Sequence, residues 1–382
     1  LAPSTRNKIL LLLFVLFTNI ASAQDSSRLR ISLLTCTPGE ELYSTFGHSA
    51  IRIVDEVDSF RVTDIVYNYG TFNFDDDGFY LKFVRGKLLY FLSLERFDDF
   101  KELYRSTNRG ITEQVLNLTP SEKIRIQQFL NENAKEENRY YRYDFFFDNC
   151  TTRLRDIIKR NHDSSFCRIA VMPAGTSFRD AIHHYLDKNK QPWSKLGIDI
   201  LLGVPCDAVM NAEQMQFLPD NLMKSLDSSR SMVLSSQNLY PIEPGNNSWR
   251  LTPFACFTAL LVLMALLSFS KNNFLKGLLQ GFDGLLFFLS GVLGIIIILM
   301  WTATDHTMCS RNFNLLWALP THAVMAFFIS SSRRWARLYF TYTGVAMALL
   351  LLAWFFLPQQ MNNALLPVVV LLMFRALRMG MR

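Results

Sequence analysis

Charge is scarce in the last third of this 382-residue sequence. The charged residues lie mainly before Trp249, and the remainder of the chain is largely apolar, which excludes a water-facing surface there and reads as membrane. Internal repeats and low-complexity runs are absent, so repeat architectures are excluded. Asp75-Asp-Asp77-Gly78 begins like a calcium loop but lacks the remaining ligand spacing, so no metal or other cofactor is implied. The net charge of +6 comes mostly from short loops between apolar segments, so nucleic acid is not an expected partner.

The N-terminus carries Arg6 and Lys8, an apolar run of 12 residues from Ile9 to Ile20, and then Ala21-Ser-Ala23. This is the basic, apolar and small-residue layout of a cleavable secretory signal, too short to span a bilayer, which needs about 20 residues. Cleavage after Ala23 would start the mature chain at Gln24, and an uncleaved anchor is the alternative. Leu33-Leu-Thr-Cys36 resembles a lipoprotein-processing site superficially, but it lies beyond the apolar core, and Cys36 belongs with the folded domain.

Five apolar segments come after the polar part: Phe254–Phe269, Leu285–Trp301, Phe313–Ile329, Leu338–Leu357 and Ala364–Leu377. The last carries Arg375, which is expected to snorkel towards headgroups. Eight basic residues (Lys271, Lys276, Arg333, Arg334, Arg337, Arg375, Arg378 and Arg382) alternate with loops that hold only Arg311. The positive-inside rule then puts residues 24–250 and the loops near 302–312 and 358–363 outside, in agreement with the signal. In the loop at 302–312, Asp305, His306 and Arg311 lie between Trp301 and Trp317, enough to contact a headgroup. His322 falls inside the third segment, where an ionisable side chain is a functional candidate.

The polar part predicts an α+β domain with its helices on one side of the sheet. Ile31–Thr35, Ser49–Val54 and Asp64–Gly70 read as strands, Asn73–Gly78 as a turn, and residues 79–94 as further strand. Thr119-Pro120 with Glu122 announces a helix over Ser121–Asn133, and Asn149-Cys150 opens another running through Lys159. Ser225–Ser248, with Pro241, Pro244 and Gly245, reads as the linker to the membrane. The expected organisation is a signal at 1–23, a catalytic domain at 24–165, an extension and linker at 166–250, and a membrane domain of about five helices at 251–382.

His48 comes 102 residues before Cys150, and a thiol beside an imidazole is a nucleophile–base unit for acyl transfer. Asp148 or Asn149 can cap the helix at Cys150, whose free first-turn N–H groups favour a thiolate and could hold an oxyanion. His48, after Gly47 and at a strand entrance, is the candidate base, and Asn68, or failing that Asp64, is expected to orient its ring. Cys36 is the rival nucleophile but lacks the helix start. Cys167 and Cys206 are candidates for a disulfide in an exported domain.

Leu33 through Arg52, then Tyr67-Asn-Tyr-Gly70, then Tyr143-Asp-Phe-Phe-Phe-Asp-Asn-Cys150-Thr-Thr-Arg153 together resemble a bacterial family of membrane-bound lipoprotein N-acyltransferases. Thr304-Asp-His306 and Asn314 through His322 resemble it too. The resemblance implies a circularly permuted papain-like, NlpC-like periplasmic domain, consistent with histidine before cysteine, on the inner membrane. It also implies that Cys150 takes an acyl chain from a membrane phospholipid and passes it to the N-terminal amine of a diacylated lipoprotein, with His48 as base. Arg153, one turn after Cys150, and Arg311 are candidates to meet a phosphate, with Tyr43 and His306 as further substrate-binding candidates. A membrane-anchored cysteine peptidase or amidase acting on cell-wall peptide is the competing reading, and a non-catalytic envelope scaffold the third. A hydrolase would need one span rather than five.

Overall fold

Apolar–polar alternation between Leu29 and Thr71 produces three antiparallel strands, β1 (Leu29–Cys36), β2 (His48–Asp58) and β3 (Arg61–Thr71). The computed structural model describes residues 28–39, 41, 44–58, 61–229, 231–240 and 251–381. The signal segment, Tyr43 and linker residues 241–250 therefore lie outside the described residues. Helix α1 (Phe79–Val84), β4 (Leu89–Arg96) and α2 (Phe97–Ser106) come next, followed by β5 (Ile111–Leu116), α3 (Pro120–Asn133), β6 (Tyr140–Arg142) and α4 (Cys150–Asn161). Residues 79–94 are thus a helix and a strand rather than strand alone. Short apolar runs fit either period, and here Phe79 is the buried anchor of a helical turn.

Helices α5 (Phe178–Lys188), α6 (Pro192–Leu201), α7 (Ala212–Met215) and α8 (Pro219–Ser228) precede β7 (Val233–Asn238). β7 pairs with β5, completing a sheet of order β6-β4-β3-β2-β1-β5-β7. This corrects the linker expected from Ser225: residues 219–238 return to the sheet. Its propensity is masked by Ser235 and Ser236, which face solvent on an edge strand.

One face of the sheet packs Ile31, Leu33, Ile51 and Tyr67 against α3, α4 and α8. The other packs Leu34, Ala50 and Val66 against Phe97, Phe100 and Tyr104 of α2. Helices therefore cover both faces, not one, and the consecutive Leu33-Leu34 is the local sign, because neighbouring strand residues point opposite ways. Arg52 crosses the α2 face, bonded to Asp64 and Glu113 and lying 3.5 Å over the Phe97 ring.

Residues 178–218 form a separate apolar cluster with Phe146, and Met300, Met308 and Cys309 join it from the membrane part. They bridge the sheet to the bundle. Cys167 and Cys206 are free thiols in different clusters, so the expected candidates for a disulfide do not pair.

The membrane part holds α9 (Pro253–Leu267), α10 (Asn273–Thr302), α11 (Thr321–Met325), α12 (Arg334–Ala353) and α13 (Leu366–Gly380). Three helical stretches, Asn273–Thr302, Arg334–Phe356 and Asn363–Gly380, are long and apolar enough to cross a membrane, and Pro253–Leu267 is a shorter apolar helix. The segment expected to span at 313–329 is broken into 3-10 turns around α11. Pro320 removes a backbone donor and disfavours helix at Leu319, and Asn314 spends its amide on the carbonyls of Asp199 and Ile200. Within this segment His322 is buried, with Nδ1 3.2 Å from Ser290 Oγ.

Arg375 does not snorkel. It is fully buried, paired through Nε and Nη2 with the two carboxylate oxygens of Asp283 at 2.6 and 2.7 Å and bonded to Ser268. Asp283→Ala leaves a buried guanidinium unpaired and is expected to cost about 3–5 kcal/mol, read as a lowered thermal midpoint of the purified protein in detergent. Replacing both partners, Asp283→Leu with Arg375→Leu, should recover most of that loss. A single variant as stable as the parent would mean the pair does not hold the bundle.

Candidate active site

The turn before α4 is built to present its first residue. Asp144 Oδ1 accepts from the N–H groups of Phe146 and Phe147 at 2.8 and 3.0 Å, and Asp144 and Asp148 bridge through their backbones. Asn149 then caps α4: its Oδ1 accepts from Thr152 N–H at 2.8 Å, and Thr152 Oγ1 accepts from Asn149 N–H at 2.8 Å. Its Nδ2 donates to the carbonyls of Phe145 and Phe217. Cys150 comes next as the first residue of the helix, where unpaired backbone N–H groups concentrate positive charge.

α4 packs on β2 and β3, and Ser49 and Thr151 join across that contact, Oγ to Oγ1, at 3.0 Å. This sets Cys150 beside His48, the first residue of β2. Gly47 turns the chain into that strand with φ +81°, and a Cβ there would stand 2.6 Å from the Cys36 carbonyl oxygen. Gly70 has φ +96°, and its Cβ would lie 3.6 Å from Cys150 Cβ and 4.0 Å from Tyr141 Oη. Both positions require glycine.

His48 Nε2 lies 2.5 Å from Asn68 Oδ1, and Asn68 Nδ2 donates to Glu95 Oε1. The carboxylate can only accept, so the amide must turn its oxygen to the imidazole, and Nε2 must carry the hydrogen. Nδ1 is then left free for the thiol. Asp64, the other candidate to orient the ring, is instead held by Arg52. Glu95 was not foreseen. Finding it needed the β3–β4 register, in which Asn68 faces Ser93, so that Glu95 lies diagonally across on the same face.

Burial alone would raise the Cys150 thiol. The charge and hydrogen bond of His48, the Ser49 backbone N–H and the Thr151 hydroxyl outweigh it and bring the pKa down to about 7. Burial alone would lower His48, but the charge and hydrogen bond of Cys150, with the bond to Asn68, raise its pKa above the ordinary value. The two groups therefore stabilise each other as thiolate and imidazolium. Burial pushes the Cys36 thiol up to about 12. Cys36 is opposite His48 in the β1–β2 register, yet fully buried.

The substrate-binding candidates fall in several places. Arg153 holds Asp148 through two bonds of 2.6 and 2.8 Å, with its guanidinium 3.5 Å over the Tyr141 ring, so its charge is already paired. His306 Nε2 donates to the Phe83 carbonyl at 3.2 Å. Arg311 is exposed on its loop with φ 50°. Tyr141 adds a group not anticipated: its buried hydroxyl has no hydrogen-bond partner among the described residues. Burial foremost holds that phenol well above its ordinary pKa, so it keeps its proton.

The chain matches the Lnb N-terminal periplasmic domain over residues 17–176 and the Lnb transmembrane domain over residues 245–381. No curated protein and no solved structure matches it. Cys150, His48, Asn68 and Glu95 all lie within the periplasmic match, and the two matches together take in most of the sequence. On both halves of its length, the chain belongs to the Lnb family of lipoprotein N-acyltransferases.

Proposed function

We propose that this protein moves an acyl chain from a membrane phospholipid to the N-terminal amine of a diacylglyceryl-cysteine lipoprotein through a thioester on Cys150. The observation that carries this reading is the Cys150–His48–Asn68–Glu95 series, with a thiol of pKa about 7, in a periplasmic domain joined to membrane helices. Histidine ahead of cysteine, and a helix opening on cysteine against an antiparallel sheet, fit a circularly permuted papain-like arrangement. The three long apolar stretches, the shorter helix Pro253–Leu267 and the broken segment at 313–329 fit five crossings, with the C-terminus in the cytoplasm of an inner-membrane protein.

In the first half-reaction the Cys150 thiolate attacks an ester carbonyl of the phospholipid. The carbonyl C–O bond breaks, the lysophospholipid oxygen takes the proton held on His48, and the acyl group remains on sulfur. In the second, the lipoprotein α-amine attacks the thioester carbon, His48 accepts the amine proton, and the thiolate leaves. The backbone N–H groups at the start of α4 and the Tyr141 hydroxyl are the donors for the tetrahedral oxyanion. Asn68 holds the imidazole with Nδ1 towards the thiol, and Glu95 holds Asn68.

Thiolate is the reactive form, so iodoacetamide should alkylate Cys150 at a rate that falls as pH drops through about 7 and is level above it. His48→Ala should move that inflection up towards the free-thiol value of about 8.5, and Cys36→Ala should leave it in place. An inflection unmoved by His48→Ala would remove the imidazole from beside the thiol.

Lipopeptide N-acylation by purified variants ranks the roles. Cys150→Ala should be inactive and Cys36→Ala should retain substantial turnover. His48→Ala is expected to lose on the order of 100- to 10,000-fold, with smaller losses for Asn68→Ala and Glu95→Gln. Tyr141→Phe should lose about 100-fold, as for one oxyanion donor. Activity in Cys150→Ala would end the mechanism.

Purified protein given phospholipid alone should gain the mass of one acyl chain on Cys150, with lysophospholipid released. Hydroxylamine, or a diacylated lipopeptide with a free α-amine, should discharge it, while the N-acetylated lipopeptide should not. Peptide cleavage without lipid and without an acyl adduct would identify a hydrolase instead.

A further inference from the structure

Between Phe74 and Val84 the sheet domain exposes an apolar patch that the catalytic chemistry does not use. Tyr80, Leu81 and Phe74 are 79, 64 and 62% exposed, and Phe83 and Val84 are about half exposed. The patch is not a loose loop. Phe79 anchors α1 from beneath, packing on Phe72 and Phe74 at centroid distances of 5.8 and 5.1 Å, and Phe72 meets Tyr90 at 5.2 Å. A rooted helical turn with large side chains facing outwards marks an interaction surface.

The position of α1 identifies the occupant. Its carboxyl end is bonded to the segment that leaves the longest membrane helix: Asp305 N–H donates to the Arg85 carbonyl at 3.0 Å, and His306 to that of Phe83. A Cβ on Gly86 would lie 3.3 Å from Asp305 Cβ, so the two chain segments touch. The apolar run of α10 from Leu285 to Trp301 rises about 25 Å at 1.5 Å per residue, close to the roughly 30 Å of a hydrocarbon core. Trp301 therefore stands at the interface, where tryptophan collects, and α1 stands within a few residues of it. Arg85 and Lys87 follow the apolar side chains, long enough to keep their charges among headgroups, while Lys82 is paired with Asp76 at 2.8 Å.

We infer that α1 and Phe74 sit in the periplasmic leaflet of the bilayer, as an interfacial foot that fixes the height of the sheet domain on the lipid. A second copy of the chain fits less well, because one helix of six residues supplies little of the roughly 800 Å² per partner of a stable interface. The foot also leads towards the thiol: Tyr90 stacks on Tyr143 at 4.3 Å and approaches Tyr141 at 6.5 Å. A lipid at α1 is thus joined to the site by a continuous series of packed rings.

The test is photocrosslinking of the full-length protein in liposomes of phosphatidylethanolamine and phosphatidylglycerol, with p-benzoylphenylalanine in place of Leu81. Val84 is the second position should the first disturb α1. Leu299, exposed on α10, is the lipid-facing reference, and Ile124, exposed on α3, is the water-facing one. Intact-mass analysis should find a phospholipid adduct at position 81 or 84 in yield comparable to Leu299, and none at Ile124. Loss of the adduct at both α1 positions while Leu299 still crosslinks would overturn the inference, as would a crosslinked protein dimer from either. The readout needs no turnover, so failure of the acyl-transfer mechanism would leave it intact.

Discussion

The proposed Cys150–His48 pair can act on lipid only if it is held at a fixed place relative to the membrane, and that depends on the buried carboxylate of Asp199. It accepts from Arg179 Nη1 at 2.9 Å, from His183 Nε2 at 2.8 Å and from Asn362 Nδ2 at 2.8 Å. Two of those donors belong to the bridging segment and the third to the turn between α12 and α13. Burial would raise this carboxyl, but His183 and Arg179 hold it below its ordinary pKa, so the charge persists. Around it, amides from the membrane part satisfy the carbonyls that end α6: Asn312 and Asn314 bond to Ile200, and Gln359 bonds to Leu202. Buried carbonyls and a buried charge left without these partners would be costly, so the sheet domain and the bundle are locked in register.

At the site, the same conflict between burial and charge is resolved differently. Cys36 and Cys150 both approach His48, and burial raises both thiols. Cys36 has only the Tyr104 hydroxyl and the Arg109 charge to offset it, whereas Cys150 has a facing imidazole, a backbone N–H and a hydroxyl. The difference comes from local structure: Cys36 ends a strand inside the sheet, while Cys150 begins a helix on it. Glu95 completes the logic, because a carboxylate behind Asn68 fixes the amide's orientation and with it the tautomer of His48.

Much of this was legible from residues alone where one local rule sufficed. Alternation placed β1 to β3, Thr119-Pro120 and Glu122 announced α3, and Asn149 announced the helix start at Cys150. The hidden features depended on pairings between distant segments. Glu95 needed the β3–β4 register, β7 needed its partner β5, and the second covered face needed α2 to fold back over Leu34 and Val66. Arg375 looked like a snorkelling residue because its partner, Asp283, lies 92 positions away on another helix. Arg153 looked free to meet a phosphate because nothing in the sequence says that Asp148 and Tyr141 close around it.

The break in the third apolar segment bears on why so large a membrane part is attached to one thiol. A single continuous span would tether the domain and leave its height and tilt to a flexible linker. Here the chain leaves α10, makes the turn holding Asn312 and Asn314, and only then resumes as α11, so the side-chain amides of that turn are placed to grip α6. That grip sacrifices regular helix at membrane depth, which is tolerated only where protein satisfies the backbone. The loss is compensated by rigidity, because the loop from Trp301 to Trp317 contacts α6 on one side and α1 on the other. The bundle therefore meets the rest of the protein at two separate places, α6 and α1, instead of through a linker alone.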